Sequence, residues 1–217
     1  MRGWFGKVNL FGTQVFETDN FDALSTRIKE SLEPELFRTA CEGFCMEPTE
    51  GFQIDVARHI RGGHLYVVTT NNCIEGFAMI QRFPDYDSVY LAGLVKTTRA
   101  PSGIIERIVQ EFLDKNNPTN VITRTQNDRV AEIMVKVCEE VVPLDRMAEE
   151  KDIELLQNIG LFTPITDPST LIVKNYYGRP MIGSTERKRS VNSRVIAVTD
   201  QLDYRAGDAL LLVGYRR

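Results

Sequence analysis

The chain has 217 residues, enough for one sizeable hydrophobic core, and its 42% hydrophobic and 26% charged residues are close to the average for globular proteins. This composition excludes disordered, collagen-like and fibrous proteins, and the apolar runs are too short to cross a bilayer. The net charge of −4 argues against a protein whose whole surface binds nucleic acid. We therefore expect a single domain over residues 1–217, with no nucleic-acid partner and no membrane partner.

The cysteines indicate the redox environment. Cys41 and Cys45 have helical spacing but no nearby histidine to complete a zinc signature, and Cys138 lies in an apolar helical stripe. We expect buried free thiols and no metal site. The N-terminal residues also contain no sustained apolar stretch typical of a secretory signal. Together these features favour a reducing compartment, and we predict a cytoplasmic protein.

The first part of the chain predicts one strand followed by three helices. Apolar and polar residues alternate in part from Lys7 to Thr18, which indicates an opening strand. Apolar side chains then recur every three or four residues, which predicts amphipathic helices over Phe21 to Leu32, Glu35 to Cys45 and Phe52 to Ile60. We expect Pro34 to separate the first two of these helices.

The middle of the chain predicts strands in an antiparallel meander and then a crossover. His64–Thr70 and Ile74–Gln81 flank an Asn-Asn turn signal, and Val89–Val95 follows after a loop. A helix is predicted from Ile104, and Val121–Thr125 is the next strand. Because a strand, helix and strand in succession form a right-handed parallel unit, we predict a mixed sheet.

The last third predicts two more helices and two strands around a long loop. The helices extend from Asn127 to Val141 and from Ile153 to Gly160, and the strands are Leu171–Val173 and 208–215. Between them, a polar loop at about 178–203 carries an excess of positive charge, contributed by Arg179, Arg187, Lys188, Arg189 and Arg194 against Glu186. This loop is either a solvated mobile segment or a lid or phosphate clamp over a substrate cleft.

Two strands in this chain run directly into the N-terminus of a helix, which is the geometry of an anion site. Tyr90–Val95 resembles the central strand of the GCN5-related N-acetyltransferase (GNAT) superfamily. Ala100–Ile105 falls where that family has its pyrophosphate loop. Thr123–Val130 resembles the family's next strand and its Asn-led helix.

The resemblance implies a fold and a cofactor site. The fold class is α/β with a GNAT-like mixed sheet, an antiparallel meander followed by a parallel β-α-β crossover, and helices on both faces. The implied co-substrate is acetyl-CoA, and the residues implied to bind it are Leu91, Ala92, Gly93, Leu94, Val95, Arg99, Ala100, Ser102, Gly103, Ile104, Asn127 and Arg129. The implied acceptor is a small-molecule or peptide amine, and a homodimer stays open.

The chain also departs from the family pattern. Ala100 stands where Gln or Arg is usual, Ile105 replaces a small residue, and Met134 replaces a tyrosine that acts as general acid in many members. Methionine cannot donate a proton. Two readings are open for other positions: Asn127 is a helix N-cap or a ligand contact, and Gly93 marks a bulge or a close ligand approach.

The catalytic groups are not fixed by the sequence. Candidates for the general base are His64, Glu75, Asp85 and Asp87, each of which is also explained as a solvated surface residue. The basic loop is flanked by Tyr176, Tyr177 and Tyr204, which either line an acceptor pocket or supply the missing phenol; Tyr176 and Tyr177 are the catalytic candidates.

Three functions remain open from the sequence. The first is an acyl-CoA-dependent N-acyltransferase, and the second is a catalytically weakened or inactive binding or regulatory module with the same fold. The third is an unrelated mixed α/β domain whose crossover binds another phosphate ligand.

Overall fold

The structure, a computed structural model, describes residues 5–10, 13–181 and 189–216. The chain divides into two compact units, and two of the boundaries between them fall inside strands. The first unit covers residues up to Gln81 together with Leu91–Asn116. The second covers Arg82–Tyr90 and the residues from Asn117 onward.

The first unit is an antiparallel meander with three helices. Its strands are β1 (Phe5–Leu10), β2 (Thr13–Thr18), β3 (His64–Thr70), β4 (Cys73–Phe83) and the later part of β5 (Ser88–Lys96), and its helices are α1 (Thr26–Phe44), α2 (Glu50–His59) and α3 (Ile104–Asn116). The strands β1 to β4 pair antiparallel in sequence order, and β5 is next to β4. The predicted meander is confirmed.

Alternation along β3 places the helices of this unit on opposite faces of its sheet. Leu65 and Val67 are buried in a cluster with residues of α1 and α2. His64 and Tyr66, which alternate with them, instead pack against Phe112 of α3, with ring centroids 5.6 and 6.2 Å apart. The period of two along a strand is therefore the reason that both faces of this sheet are covered.

The second unit is arranged around its last strand. It contains β6 (Asn120–Thr125), α4 (Asp128–Val137), β7 (Glu140–Val142), α5 (Glu150–Asn158), β8 (Ile172–Val173), α6 (Ser193–Thr199) and β9 (Ala209–Tyr215). The strand β9 pairs antiparallel with β6, β7 and β8. It packs one face against α5, where Leu211 and Val213 cluster with Leu156.

The start of β5 belongs to this second unit and confirms the predicted crossover. The Asn120 amide donates to Ser88 Oγ at 3.1 Å, so β5 and β6 begin at the same edge. The two strands are neighbours in the sheet and run parallel, and the chain between them passes through α3. The mixed α/β class is therefore confirmed.

Two predicted helix boundaries are wrong. Pro34 does not separate two helices, because α1 continues through it over Thr26–Phe44. Leu32 and Leu36 are buried on either side of the proline, and their burial offsets the single lost backbone hydrogen bond. The helix predicted to reach Val141 ends at Val137, since Val141 pairs with Gly214 in the sheet.

Two further expectations are corrected. The single opening strand from Lys7 to Thr18 is a pair of antiparallel strands, β1 and β2. All four cysteines are free, and Cys138 is buried, but Cys45 and Cys73 are exposed. Cys45 caps the end of α1 in a left-handed conformation and Cys73 adjoins the β3–β4 turn, so neither reaches the core.

Within the described ranges, no helix has both the length and the apolar character needed to span a membrane. The same residues contain no group of three or more side chains arranged to hold a metal ion.

Gly63 makes a close backbone approach that we expect to be sensitive to any side chain. A Cβ at this position would lie 2.5 Å from the Ile80 carbonyl oxygen and 2.9 Å from the Gln81 Cα. Gly63→Ala should therefore lower the free energy of unfolding by about 1–3 kcal/mol, measured by urea denaturation. Gly51→Ala is the control, because no atom lies within 4 Å of its Cβ and it should not destabilise α2. Equal stability of the two variants would contradict the prediction.

Candidate functional site

The candidates from Leu91 to Ile104 lie in the first unit, and Asn127 and Arg129 lie in the second. Along β5, Leu91 and Val95 are buried, and Ala92 packs against the cluster beneath α1 and α2. Gly93 differs from them, because a Cβ on it would have only the Met79 Cβ within 4 Å, at 4.0 Å. Neighbouring side chains in the first unit therefore do not require a glycine at this position.

The loop after β5 leads into the N-terminus of α3. Ala100 donates to the Thr97 carbonyl at 3.4 Å and is only 4% exposed. Ser102 and Gly103 are exposed, and Gly103 has φ +76°, which favours glycine. Its carbonyl accepts from the Arg107 N–H at 2.9 Å, so Gly103 begins the helix that buries Ile104. An exposed turn at a helix N-terminus is a suitable place for an anion.

Arg99 is already paired with two carboxylates of the first unit. Its Nε donates to Glu75 Oε1 at 2.8 Å, and its Nη2 donates to Glu42 Oε2 at 2.5 Å. A phosphate at the start of α3 would therefore have to compete with Glu75 and Glu42 for this guanidinium.

Glu75 is not a solvated surface residue, which corrects one of the two readings from the sequence. Its side chain is 5% exposed, and it accepts hydrogen bonds from Thr97 Oγ1 and Arg99 Nε. Burial alone would raise its pKa, but these hydrogen bonds and the Arg99 charge hold the pKa of Glu75 below its usual value. A carboxylate with a lowered pKa is a weak general base.

In the second unit, Asn127 is the N-cap of α4. Its side-chain oxygen accepts from the Arg129 N–H at 2.9 Å, as expected of a capping residue. The Arg129 side chain is exposed and pairs with Glu132 at 2.6 Å. Met134 is fully buried, so it is a core residue of the unit.

Tyr176 and Tyr177 lie beside an arginine that the sequence analysis did not single out. The Arg124 guanidinium carbon is 4.0 Å from the centroid of the Tyr176 ring. The Tyr177 hydroxyl donates to the Arg124 carbonyl at 3.4 Å, and burial raises the pKa of Tyr177. The sequence did contain one indication of this arginine, because Arg124 is a charged residue inside the β-branched run Val121–Thr125. Tyr176 is 41% exposed, so this cluster is open to solvent.

No protein-family model and no curated protein matches this sequence. Among solved structures, the chain is similar to Tetrahymena GCN5, with 14% identity, a TM-score of 0.48, and coverage of 66% of this chain and 86% of that one. A GNAT family acetyltransferase from Elizabethkingia anophelis with acetyl-CoA bound has 12% identity, a TM-score of 0.44, and coverage of 95% and 99%. These neighbours come from the family that the sequence resembles, but likeness of this degree carries no argument about activity.

Two arginines of the basic loop pair with carboxylates of their own unit. Arg189 pairs with Asp200, and Arg194 pairs with Asp145. Arg187, Lys188 and Glu186 lie outside the described residues. A phosphate clamp formed by Arg189 and Arg194 would have to displace these carboxylates.

The first unit also has a cavity of about 600 Å³ beside α1 and the β3–β4 turn. Its lining residues are Arg27, Ile28, Ser31, Leu32, Glu35, Asn72, Cys73 and Ile74. None of the residues predicted to bind the cofactor or to catalyse belongs to this lining.

Proposed function

We propose that the protein is an acyl-CoA-dependent N-acyltransferase that transfers acetyl from acetyl-CoA to an amine by direct attack. The observation that carries the proposal is the succession of the Leu91–Val95 strand, the exposed Gly103 turn and the N-terminus of α3. Gly93 lies in the middle of that strand. Neighbouring atoms of its unit do not fill the position of its missing Cβ, which leaves space for the pantetheine chain to approach.

Each part of this succession has a role in holding the co-substrate. The amides of pantetheine pair with the backbone of Leu91–Val95, as a peptide strand would. The pyrophosphate lies at Ser102–Ile104, where the helix dipole contributes about 0.3–1 kcal/mol, or up to about 2 kcal/mol when partly buried.

The chemistry requires positioning and three proton movements. The ammonium loses a proton to water, the free amine attacks the thioester carbonyl, a C–N bond forms and the C–S bond breaks, and the nitrogen then loses its second proton to water to give the amide. Coenzyme A leaves as a thiolate that takes up a proton. Of the two phenols named as candidates from the sequence, that of Tyr176 is the better proton donor, because it is exposed. The phenol of Tyr177 is less suited, because it donates to the Arg124 carbonyl.

Thermal unfolding with and without acetyl-CoA tests this proposal. At about 100 times its dissociation constant, the ligand should add roughly 2.7 kcal/mol, which raises the Tm of a chain of this size by about 5–10 °C. Release of free coenzyme A thiol in the presence of an amine panel then tests transfer. No Tm shift at saturating acetyl-CoA would rule out the proposed cofactor site.

A second candidate is a binding or regulatory module of the same fold. The observations that favour it are the pairing of Arg99 with Glu75 and Glu42 and the burial of Ala100, which together remove two polar contacts from the loop. This candidate predicts a Tm shift with acetyl-CoA and no thiol release with any amine, so the same experiment separates the two.

A further inference from the structure

Arg124 is a partly buried arginine whose charge is left without a carboxylate. Its Nη2 donates to the Leu161 carbonyl at 3.1 Å, and the guanidinium lies over the Tyr176 ring. Its Nε is buried and has no hydrogen-bond partner. Among the residues that the structure describes, no Asp or Glu lies within ion-pair distance of this side chain.

Four other arginines of the same unit have the carboxylate partner that Arg124 lacks. Arg129 pairs with Glu132, Arg146 with Asp152, Arg189 with Asp200, and Arg194 with Asp145. A guanidinium has five N–H donors in a planar fork. A buried donor without a hydrogen-bond partner costs about 1–3 kcal/mol of stability. Because Arg124 has no carboxylate partner among the described residues and its Nε is unsatisfied, we infer that its charge is met by a partner from outside the chain.

The surroundings of Arg124 fit an anionic ligand with an apolar body. Tyr90 and Tyr177 are largely buried beside it, and burial raises the pKa of both phenols, so they stay neutral and do not neutralise the guanidinium. The Tyr176 ring packs edge-on against Tyr177, with centroids 4.8 Å apart. Because Tyr176 is 41% exposed, the ring cluster has an open side.

We propose that Arg124 binds the carboxylate of the acceptor, which is an amine that also carries a carboxylate, as an α-amino acid does. The planar guanidinium suits a carboxylate because two parallel hydrogen bonds can form at once. Tyr176 and Tyr90 provide ring surface for the body of the acceptor. Tyr90 is bonded directly to Leu91, the first residue of the proposed pantetheine strand, so this inference rests on the proposed function for its link to transfer.

The test compares binding and transfer for matched ligands. Binding of L-phenylalanine and L-phenylalaninamide is measured by calorimetry without acetyl-CoA, and transfer to each is measured by thiol release with acetyl-CoA. We expect the protein to prefer the free carboxylate by about tenfold or more in both assays. Arg124→Gln should remove the preference, and Arg124→Lys should restore part of it, since lysine supplies charge without the fork.

Arg205→Gln is the matched control, because Arg205 is an exposed arginine of the same unit, and it should keep the preference. Equal binding of the acid and the amide, or a preference that survives in Arg124→Gln, would overturn the inference. Carboxylate binding that depends on Arg124 in a protein that shows no Tm shift with acetyl-CoA would support the anion site and reject the proposed cofactor use. A Tm shift with acetyl-CoA and transfer to amines without any carboxylate preference would support the proposed cofactor use and reject the carboxylate site at Arg124.

Discussion

Gly93→Val should abolish acetyl-CoA binding while leaving the fold intact. A Cβ at this position would meet only the Met79 Cβ at 4.0 Å, an ordinary van der Waals distance, so the first unit accommodates the substitution. Valine also has a higher strand propensity than glycine. The same side chain would fill the space that we assign to the pantetheine arm. We expect an unfolding temperature at or above that of the unsubstituted protein, and no Tm increase on addition of acetyl-CoA.

Two comparisons make this result specific. Gly93→Ala should weaken the acetyl-CoA shift less than valine does, because the added group is smaller. Gln14→Val places the same side chain on β2, a strand of the same unit without candidate residues, and should keep the full shift. If Gly93→Val binds acetyl-CoA as well as Gln14→Val does, the ligand does not approach the strand at Gly93.

Asp152→Ala should lower the free energy of unfolding by about 3 kcal/mol, because it removes one partner of a buried ion pair. The Asp152 side chain is fully buried and accepts from Arg146 at 2.6 and 3.1 Å, from the Glu149 N–H at 2.7 Å, and from the Tyr215 hydroxyl. Its loss removes the acceptor that these donors share and leaves Arg146 with Glu140, Glu149 and the Met147 carbonyl as its partners. For a chain of this size, the Tm should fall by about 6–12 °C.

The effect of Asp152 depends on pH in a direction that can be derived. Burial alone would raise its pKa, but the hydrogen bonds from Arg146, Tyr215 and Glu149 hold the pKa of Asp152 below its usual value. The stability it contributes is therefore complete above the unfolded-state pKa of about 3.9 and is lost as the pH falls through the lower folded-state pKa. The difference between the unsubstituted protein and Asp152→Ala should be constant near neutral pH and shrink in acid.

Glu154→Ala is the control for this prediction, because Glu154 is an exposed acid on the same helix. It should change the unfolding free energy by less than about 0.5 kcal/mol. A pH-independent difference for Asp152→Ala would show that the carboxylate charge is not the source of its stability.

Local patterns predicted most of the elements. Apolar and β-branched runs with their turn signals predict the strands from His64 to Val95, and the helical period of the apolar residues predicts the helix from Ile104; the structure confirms both. The boundaries failed where distant residues compete with local propensity. Pro34 remains inside α1 because the helix face around it is buried, and Val141 is drawn from helix to strand by pairing with β9.

The candidate site was predicted less completely, because its side-chain partners are distant in sequence. The glycine with a positive φ at position 103 and the N-cap at Asn127 are local features that the sequence contained. The pairing of Arg99 with Glu75 and Glu42 joins residues 24 and 57 positions apart. No spacing rule connects positions so far apart, and the burial of Glu75 followed from its neighbours in the sheet and not from its residue type.

The sequence by itself determined a mixed α/β chain with a meander, a crossover and a strand that leads into a glycine turn and a helix. It did so because apolar periodicity, turn residues and caps act over a few positions. Only the tertiary structure decided which charges are neutralised. Folding places carboxylates beside Arg99 and Arg146 and none among the described residues beside Arg124, because charge pairing depends on positions that the chain brings together from afar.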